Sequence, residues 1–149
     1  MKTQSFNILM ADDDPDDRML VKDALGETTV AQHLDTVEDG EEMMAYLKRE
    51  GKYANLPAHE LPCLILLDLN MPKKDGREAL KELKASPKLR RIPVVILTTS
   101  NATEDIQKTY DLGANSFIIK PRNFETLVQS LQTLVKYWFD TVQLPANRD

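Results

Sequence analysis

The chain has 149 residues, 42% of them hydrophobic and 29% charged, a composition typical of one globular domain with a sizeable core. Its formal net charge of −5 argues against broad nucleic-acid binding, because contacts to phosphates need a basic surface. The chain has one cysteine, no evident signal peptide and no apolar run near the roughly 18 residues of a membrane span, so we expect a cytoplasmic protein without a disulfide framework or membrane contact.

Four continuous apolar runs are typical of strands that are buried on both faces, as in a parallel sheet covered by helices. These runs are FNILMA (6–11), CLILLDL (63–69), IPVVILTT (92–99) and SFIIK (116–120). A further run, QHLDTV (32–37), alternates more and is expected to form an edge strand.

Helical periodicity fills the intervals and predicts five helices. The second begins near Asp39, the third runs from Asp75 to about Ser86, and the fifth from Asn123 to Tyr137. The repeated order of strand and helix predicts an α/β fold, a (βα)5 doubly wound parallel five-stranded sheet with right-handed crossovers. We expect an ordered surface loop at 51–62, and a single domain over 1–149 with a C-terminal extension from about 138 to 149.

Polar residues stand at the end of each buried run, where open α/β sheets bind their ligands. They are Asp12 and Asp13 after the first run, Asp68 in the next, then Thr98, and finally Lys120. Clustered carboxylates favour a hard divalent cation, Mg²⁺ or Mn²⁺, whereas lysine and threonine suit phosphate oxygens. The position of Asp68 would allow it to attack a phosphoryl group and form an aspartyl phosphate.

The acidic run DDDPDD (12–17) is interpreted as two parts. Its first two aspartates belong to the cation site. Asp14 is expected to cap a helix whose first residue is Pro15, and Asp16 and Asp17 then lie in the first turn, where the helix dipole favours negative charge.

Four motifs, ILMADDDPDD, LILLDLNMPKKDG, VVILTTS and GANSFIIKP, resemble in order and spacing the receiver domain of two-component response regulators, of the CheY-like type. The resemblance implies the flavodoxin-like strand order 2-1-3-4-5. It also implies that Asp68 is the phosphoacceptor, that Asp13 binds the metal directly, and that Asn70 supplies its backbone carbonyl. Asp12 is expected to hold the metal through water.

The same resemblance implies a conformational switch. The Thr98 hydroxyl is expected to turn toward the phosphoryl group, with the Phe117 rotamer following, and Lys120 to pair with that group. The bond from Lys120 to Pro121 is expected to be cis. Phe117 could instead be a static core aromatic. Thr99 stands where the family usually has Ala, Gly or Ser, so its bulk is expected to narrow access to the phosphoacceptor.

Two segments, LNMPKKDGREAL and VKYWFDTVQLP, resemble the stand-alone regulators of cyanobacterial phytochromes, which implies a phytochrome histidine kinase as the phosphodonor. The surplus apolar residues near the C-terminus predict a homodimer through the fifth helix and tail. They are Tyr137, Trp138, Phe139 and Leu144. The alternative is that this tail folds back on its own domain.

Signalling through protein partners is therefore predicted, with a phosphorelay intermediate or phosphate sink as open alternatives. We do not expect an enzyme acting on other substrates. A Mg²⁺-dependent phosphatase of the haloacid dehalogenase type would need an acid where Asn70 stands, and a flavin phosphate would be repelled by the acidic run. A pseudo-receiver that is never phosphorylated would not need so complete a site.

Overall fold

The computed structural model describes residues 6–57 and 60–145. Within them, the strands are β1 (Phe6–Ala11), β2 (Gln32–Val37), β3 (Leu64–Leu67), β4 (Val94–Thr98) and β5 (Ser116–Ile119). The α-helices are α1 (Pro15–Gly26), α2 (Gly40–Lys48), α3 (Gly76–Ala85), α4 (Thr103–Asp111) and α5 (Phe124–Lys136). A short 3-10 helix, Gly51–Tyr53, follows α2, and a π-helical turn, Tyr137–Thr141, follows α5.

The strands form one parallel sheet in the order β2-β1-β3-β4-β5, so the predicted (βα)5 architecture and strand order are confirmed. In the register of the central strands, Ala11 pairs with Leu67, and Leu67 with Ile96. The order reverses between β1 and β3, and the resulting crevice at their carboxyl ends is where ligands bind in such sheets.

Side-chain caps explain where four of the helices begin. The carboxylates of Asp14, Asp39 and Asp75 and the amide oxygen of Asn123 each accept a backbone N–H from the first turn of the helix that follows. Pro15 is the first residue of α1, as predicted, because its missing N–H has no partner to lose there.

The core lies on both faces of the sheet, since successive strand residues point to opposite sides. Leu9 and Ala11 belong to the cluster that includes residues of α2 and α3, whereas Ile8 and Met10 belong to the cluster with α1 and α5. Continuous apolar strands are required because both faces are covered, which is why the sequence runs did not alternate.

Gly76 lets α3 begin directly against the third strand. A Cβ at this position would collide with the backbone carbonyl of Asp68, and the Gly76 N–H donates to the Leu69 carbonyl at 2.9 Å. The absence of a side chain therefore lets the start of α3 approach the backbone of Asp68 and Leu69, where this hydrogen bond holds it.

The loop after α2, predicted over 51–62, is held by side chains where the structure describes it; positions 58 and 59 lie outside the described residues. The Tyr53 hydroxyl donates to Glu42 at 2.6 Å, and the Arg49 guanidinium donates to the carbonyls of Pro57 and Glu60. Over the described ranges, no helix is both long enough and apolar enough to traverse a membrane.

Candidate functional site

The backbone of the sheet brings four chain segments to one edge. The Asp12 N–H donates to the carbonyl of Val37, and the Asp68 N–H donates to the carbonyl of Ala11. On the other side, the Lys120 N–H donates to the Thr98 carbonyl at 2.8 Å. Parallel pairing thus continues to the last residue of each strand, and the polar residues that follow are set side by side.

Three carboxylates meet at this edge. One oxygen each from Asp12, Asp13 and Asp68 lies within 4.8 Å of the others; Asp12 and Asp68 are buried and Asp13 is exposed. Two like charges about 4 Å apart repel by roughly 4 kcal/mol at an effective dielectric near 20. This donor set fits a hard divalent cation with one open side, and Asn70, two residues beyond Asp68, is exposed at the same edge.

Lys120 supplies the cation that reaches the cluster. Its Nζ lies 2.6 Å from Asp12, 2.8 Å from Asp17 and 3.7 Å from Asp68, and 11% of its side chain is exposed. Burial alone would lower the pKa of the Lys120 ammonium, but its bonds to Asp12 and Asp17 and the charge of Asp68 raise this pKa to about 12. The side chain is therefore a fixed positive charge near neutral pH.

Asp12 shows what crowding does to one of these acids. Its burial raises the pKa of the carboxyl group, and the charge of Asp68 adds to that rise, against the lowering effect of Lys120 and the Asp14 N–H. The backbone around it is also held: the Asp14 N–H donates to its Oδ1 at 2.9 Å, and Arg18 donates to its carbonyl at 2.7 Å.

One carboxylate oxygen of Asp68 accepts a hydrogen bond, and the other faces the Lys120 ammonium. Its Oδ1 accepts the N–H of Leu69 at 2.8 Å, while its Oδ2 is the atom 3.7 Å from Lys120. Only 10% of the Asp68 side chain is exposed, so little of this carboxylate is accessible to a reactant. The arrangement suits a nucleophilic carboxylate held in one orientation.

The Thr98 hydroxyl is a buried polar atom without a hydrogen-bond partner among the described residues. An unmet buried hydroxyl costs about 1–3 kcal/mol, so it marks a place where an acceptor oxygen from a ligand would be stabilised. Phe117, the predicted switch aromatic, is partly buried and packs against the cluster formed with α2 and α3.

Asp17 is a site residue that the sequence pattern did not single out. We predicted only a favourable interaction with the helix dipole, yet its carboxylate accepts a hydrogen bond from Lys120. No local signal could have indicated this, because the two residues are 103 positions apart in the chain.

The predicted cis bond before Pro121 is wrong, because the described residues contain no cis peptide bond. A trans X–Pro bond is favoured by about 0.5–1 kcal/mol, and Lys120 reaches its carboxylates from the trans chain.

A crevice of about 280 Å³ adjoins the carboxylates at this edge. Its lining residues are Asp17, Leu20, Val21, Thr99, Lys120, Pro121, Arg122 and Leu127. Thr99 is exposed beside Lys120, in a location consistent with the predicted narrowing of access.

The C-terminal tail folds back more than the dimer prediction supposed. Phe139 is buried and stacks on Phe6, with ring centroids 4.4 Å apart. Trp138 and Leu144 pack against the cluster shared with α1 and α5, whereas Tyr137 is 50% exposed. Phe139 is therefore a contact within its own domain, because β1 offers it an aromatic partner.

Comparison with known proteins gives a consistent result. Residues 8–132 match the family described as the response regulator receiver domain. The chain is 45% identical over 139 residues to the response regulator Rcp1 of Synechocystis sp., covering 93% of this chain and 92% of that protein.

Solved structures agree with the sequence comparison. The phosphorylated cyanobacterial phytochrome response regulator RcpA is 46% identical with a TM-score of 0.88, over 95% of this chain and 99% of that chain. The Mn²⁺-bound form of Rcp1 is 44% identical with a TM-score of 0.85, at the same coverage. The fold, the edge of carboxylates and these similarities together establish that the chain belongs to the response regulator receiver domain family.

Proposed function

We propose that Asp68 accepts the phosphoryl group through which this receiver domain signals. Family membership implies phosphorylation on an aspartate. The observation that carries the choice is the cluster at the carboxyl edge, in which Asp68 lies beside two further carboxylates and faces the Lys120 ammonium at 3.7 Å.

The transfer takes a phosphoryl group from a phosphohistidine of a partner kinase. A carboxylate oxygen of Asp68 forms an O–P bond as the N–P bond breaks, and the imidazole leaves with the electron pair. Lys120 would then donate hydrogen bonds to a phosphoryl oxygen, as would the Thr98 hydroxyl, which has no hydrogen-bond partner in the described part of the chain.

Mg²⁺ is the proposed cation, held by Asp13, Asp68 and the Asn70 carbonyl, with Asp12 acting through water. Supporting this, the three carboxylates fit a divalent ion, and the related Rcp1 has a Mn²⁺-bound form. When bound, the ion would offset the charge of the carboxylates and of the transferred group. Asp12 is already held in place for this role, because its side chain accepts the Asp14 N–H and its backbone carbonyl accepts a hydrogen bond from Arg18.

The output is proposed to be a shift between two states of the surface formed by α4 and β5. Thr98 would turn toward the phosphoryl group, and the Phe117 rotamer would follow. The signal would then pass to protein partners rather than to nucleic acid or membrane. A phosphorelay step or phosphate sink uses the same chemistry and differs only in the acceptor.

A phytochrome histidine kinase is the proposed phosphodonor in the cytoplasm. The support is that RcpA is a cyanobacterial phytochrome response regulator by its description and is 46% identical to this chain.

The decisive experiment is incubation with labelled acetyl phosphate and Mg²⁺, comparing the wild type with Asp68→Asn. We expect base-labile label on the wild type only, and none in excess chelator. Asp16→Asn, which removes an exposed carboxylate from the same edge, is the matched control and should label normally. Equal labelling of the wild type and Asp68→Asn would refute the assignment.

We further propose a homodimer that uses α5, β5 and the tail. A groove of about 540 Å³ lies there, and the exposed Tyr137 is one of its lining residues. Its lining residues are Asn115, Ser116, Ile118, Ser130, Thr133, Leu134, Tyr137 and Trp138. Sedimentation should show a dimer at tens of micromolar that Tyr137→Ala weakens. Tyr110→Ala, at a similarly exposed tyrosine on α4, should leave it intact; a monomeric wild type would contradict the proposal.

A further inference from the structure

Lys120 lies close to three carboxylates, those of Asp12, Asp17 and Asp68, and only Asp68 is the proposed phosphoacceptor. Its Nζ has hydrogen bonds to Asp12 and Asp17, at 2.6 and 2.8 Å, but lies 3.7 Å from Asp68, too far for a hydrogen bond. In this arrangement the ammonium is held closest to the residues that would not carry the phosphoryl group.

The role of Asp17 differs from that of its neighbour. Asp16 and Asp17 both lie in the first turn of α1, where either charge interacts favourably with the helix dipole. Asp16 is exposed and pairs with no cation among the described residues, whereas 30% of the Asp17 side chain is exposed and its Oδ2 accepts a hydrogen bond from Lys120. Helix stability alone therefore does not account for the position of Asp17.

Asp12 and Asp17 are not equivalent competitors for the ammonium. Asp12 belongs to the three carboxylates that fit a divalent ion, so a bound ion would share its charge. Asp17 lies outside that group, so a bound ion would not compete with Lys120 for its charge. It also lines the crevice with Lys120 and Thr99, where a phosphodonor would enter.

We propose that Asp17 is a positioning residue that restrains Lys120 away from Asp68 and so weakens the hold of the site on a phosphoryl group. This inference rests on the proposed function, in which Asp68 carries that group. Phosphorylation would have to draw the ammonium from Asp17 toward the new phosphoryl oxygens, and the strength of the Asp17 contact would set how readily this happens.

The test measures the affinity for beryllofluoride, a tetrahedral phosphoryl mimic, by the ¹⁹F NMR signal of the bound form at saturating Mg²⁺. Asp17→Asn is compared with Asp16→Asn, because both remove one charge from the same helical turn and only the first breaks the contact with Lys120. We expect Asp17→Asn to bind about threefold to tenfold more tightly than Asp16→Asn, the order that one partly buried ion pair supplies.

Asp17→Ala also removes the acceptor and should change the affinity in the same direction, which guards against an effect of the new amide. A thermal melt confirms that each variant is folded. Equal affinities for Asp17→Asn and Asp16→Asn would overturn the inference, as would weaker binding by Asp17→Asn. If the wild type neither bound the mimic nor took up label on Asp68, the proposed function itself would fail, and the two failures are thus distinguishable.

Discussion

The carboxyl edge of the sheet and the flank formed by α2 and α3 differ in how completely their charged and polar side chains are paired. At the edge, Asp12, Asp17 and Asp68 share the ammonium of Lys120. The Thr98 hydroxyl there has no hydrogen-bond partner within the described residues. On the flank, Glu82 is paired with both Lys48 and Lys74.

Pairing on the flank extends to the loop that follows α2. Glu42 accepts a hydrogen bond from the Tyr53 hydroxyl and pairs with Lys52 at 3.0 Å. Burial, followed by the bond to Glu42, raises the pKa of Tyr53 to about 12, so the phenol remains a donor near neutral pH. Groups that are satisfied within the chain stabilise it, and groups left incompletely paired are the ones that a ligand can complete.

The largest expected effect concerns backbone packing at the edge. Gly76→Ala places a Cβ against the Asp68 carbonyl and should lower the free energy of unfolding by about 1–3 kcal/mol, because neither backbone segment can move without disturbing the sheet. Urea unfolding measures this. Gly26→Ala is the control, since a Cβ there meets nothing within 4 Å, and it should be neutral or slightly stabilising. Equal losses for both would remove the distinction.

The second-largest expected effect is on Mg²⁺ affinity, when one negative charge is removed from the carboxyl edge. Asp13→Asn should weaken Mg²⁺ binding by more than about tenfold, because the cation loses the exposed carboxylate of its donor set. In the absence of Mg²⁺ the same variant should be as stable as the wild type or more so, since like-charge repulsion is relieved. A Mg²⁺ titration followed by calorimetry tests the first part, and Asp16→Asn should change the affinity less than twofold. A parallel loss in both variants would contradict the division of the acidic run.

Metal removal should separate the two regions directly. At a Mg²⁺ concentration ten times the dissociation constant, the wild type should gain about 1.4 kcal/mol of stability, from the expression RT ln(1 + [L]/Kd). Asp13→Asn should lose most of that gain, whereas Glu82→Gln should keep all of it. Thermal melts with and without chelator measure these differences. A gain that also vanished in Glu82→Gln would mean that the flank is part of the ion site.

The smallest expected effect is the pH dependence of the flank. Hydrogen bonds from Lys48 and Lys74 lower the pKa of the Glu82 carboxyl below its usual 4.5. A lowered carboxyl pKa adds stability that is present above pH 4.5 and is lost as the pH falls through the folded-state value. Glu82→Gln should therefore cost about 0.2–1 kcal/mol at neutral pH and progressively less below pH 4.5.

Urea unfolding of this variant at neutral and acid pH gives the comparison. Glu27→Gln, at an exposed glutamate beyond the end of α1, should show little change at either pH. A cost for Glu82→Gln that stayed constant down to acid pH would show that the pairing is not electrostatic.

Much of the fold followed from local patterns. The apolar runs indicated all five strands, and β1 and β2 have the predicted bounds. Asp39, Asp75 and Asn123 were expected near helix starts and are the N-caps. These features are local, because strand burial and capping depend on residues within one turn or one strand.

The composition of the edge could also be predicted, since parallel strands deliver their carboxyl ends to one side. Which side chains touch there could not. The Lys120–Asp17 contact, the trans bond to Pro121 and the stacking of Phe139 on Phe6 each depend on how separate elements pack.

The order of the elements, the covering of both sheet faces and the set of acids, hydroxyl and ammonium at the carboxyl edge all follow from residue patterns along the chain. How the Lys120 ammonium is shared among Asp12, Asp17 and Asp68 depends instead on the packing of separate elements. The reason is physical. Periodicity and capping report the immediate neighbours of a residue, whereas the position of a long charged side chain is set by whichever opposite charges distant segments bring within about 4 Å.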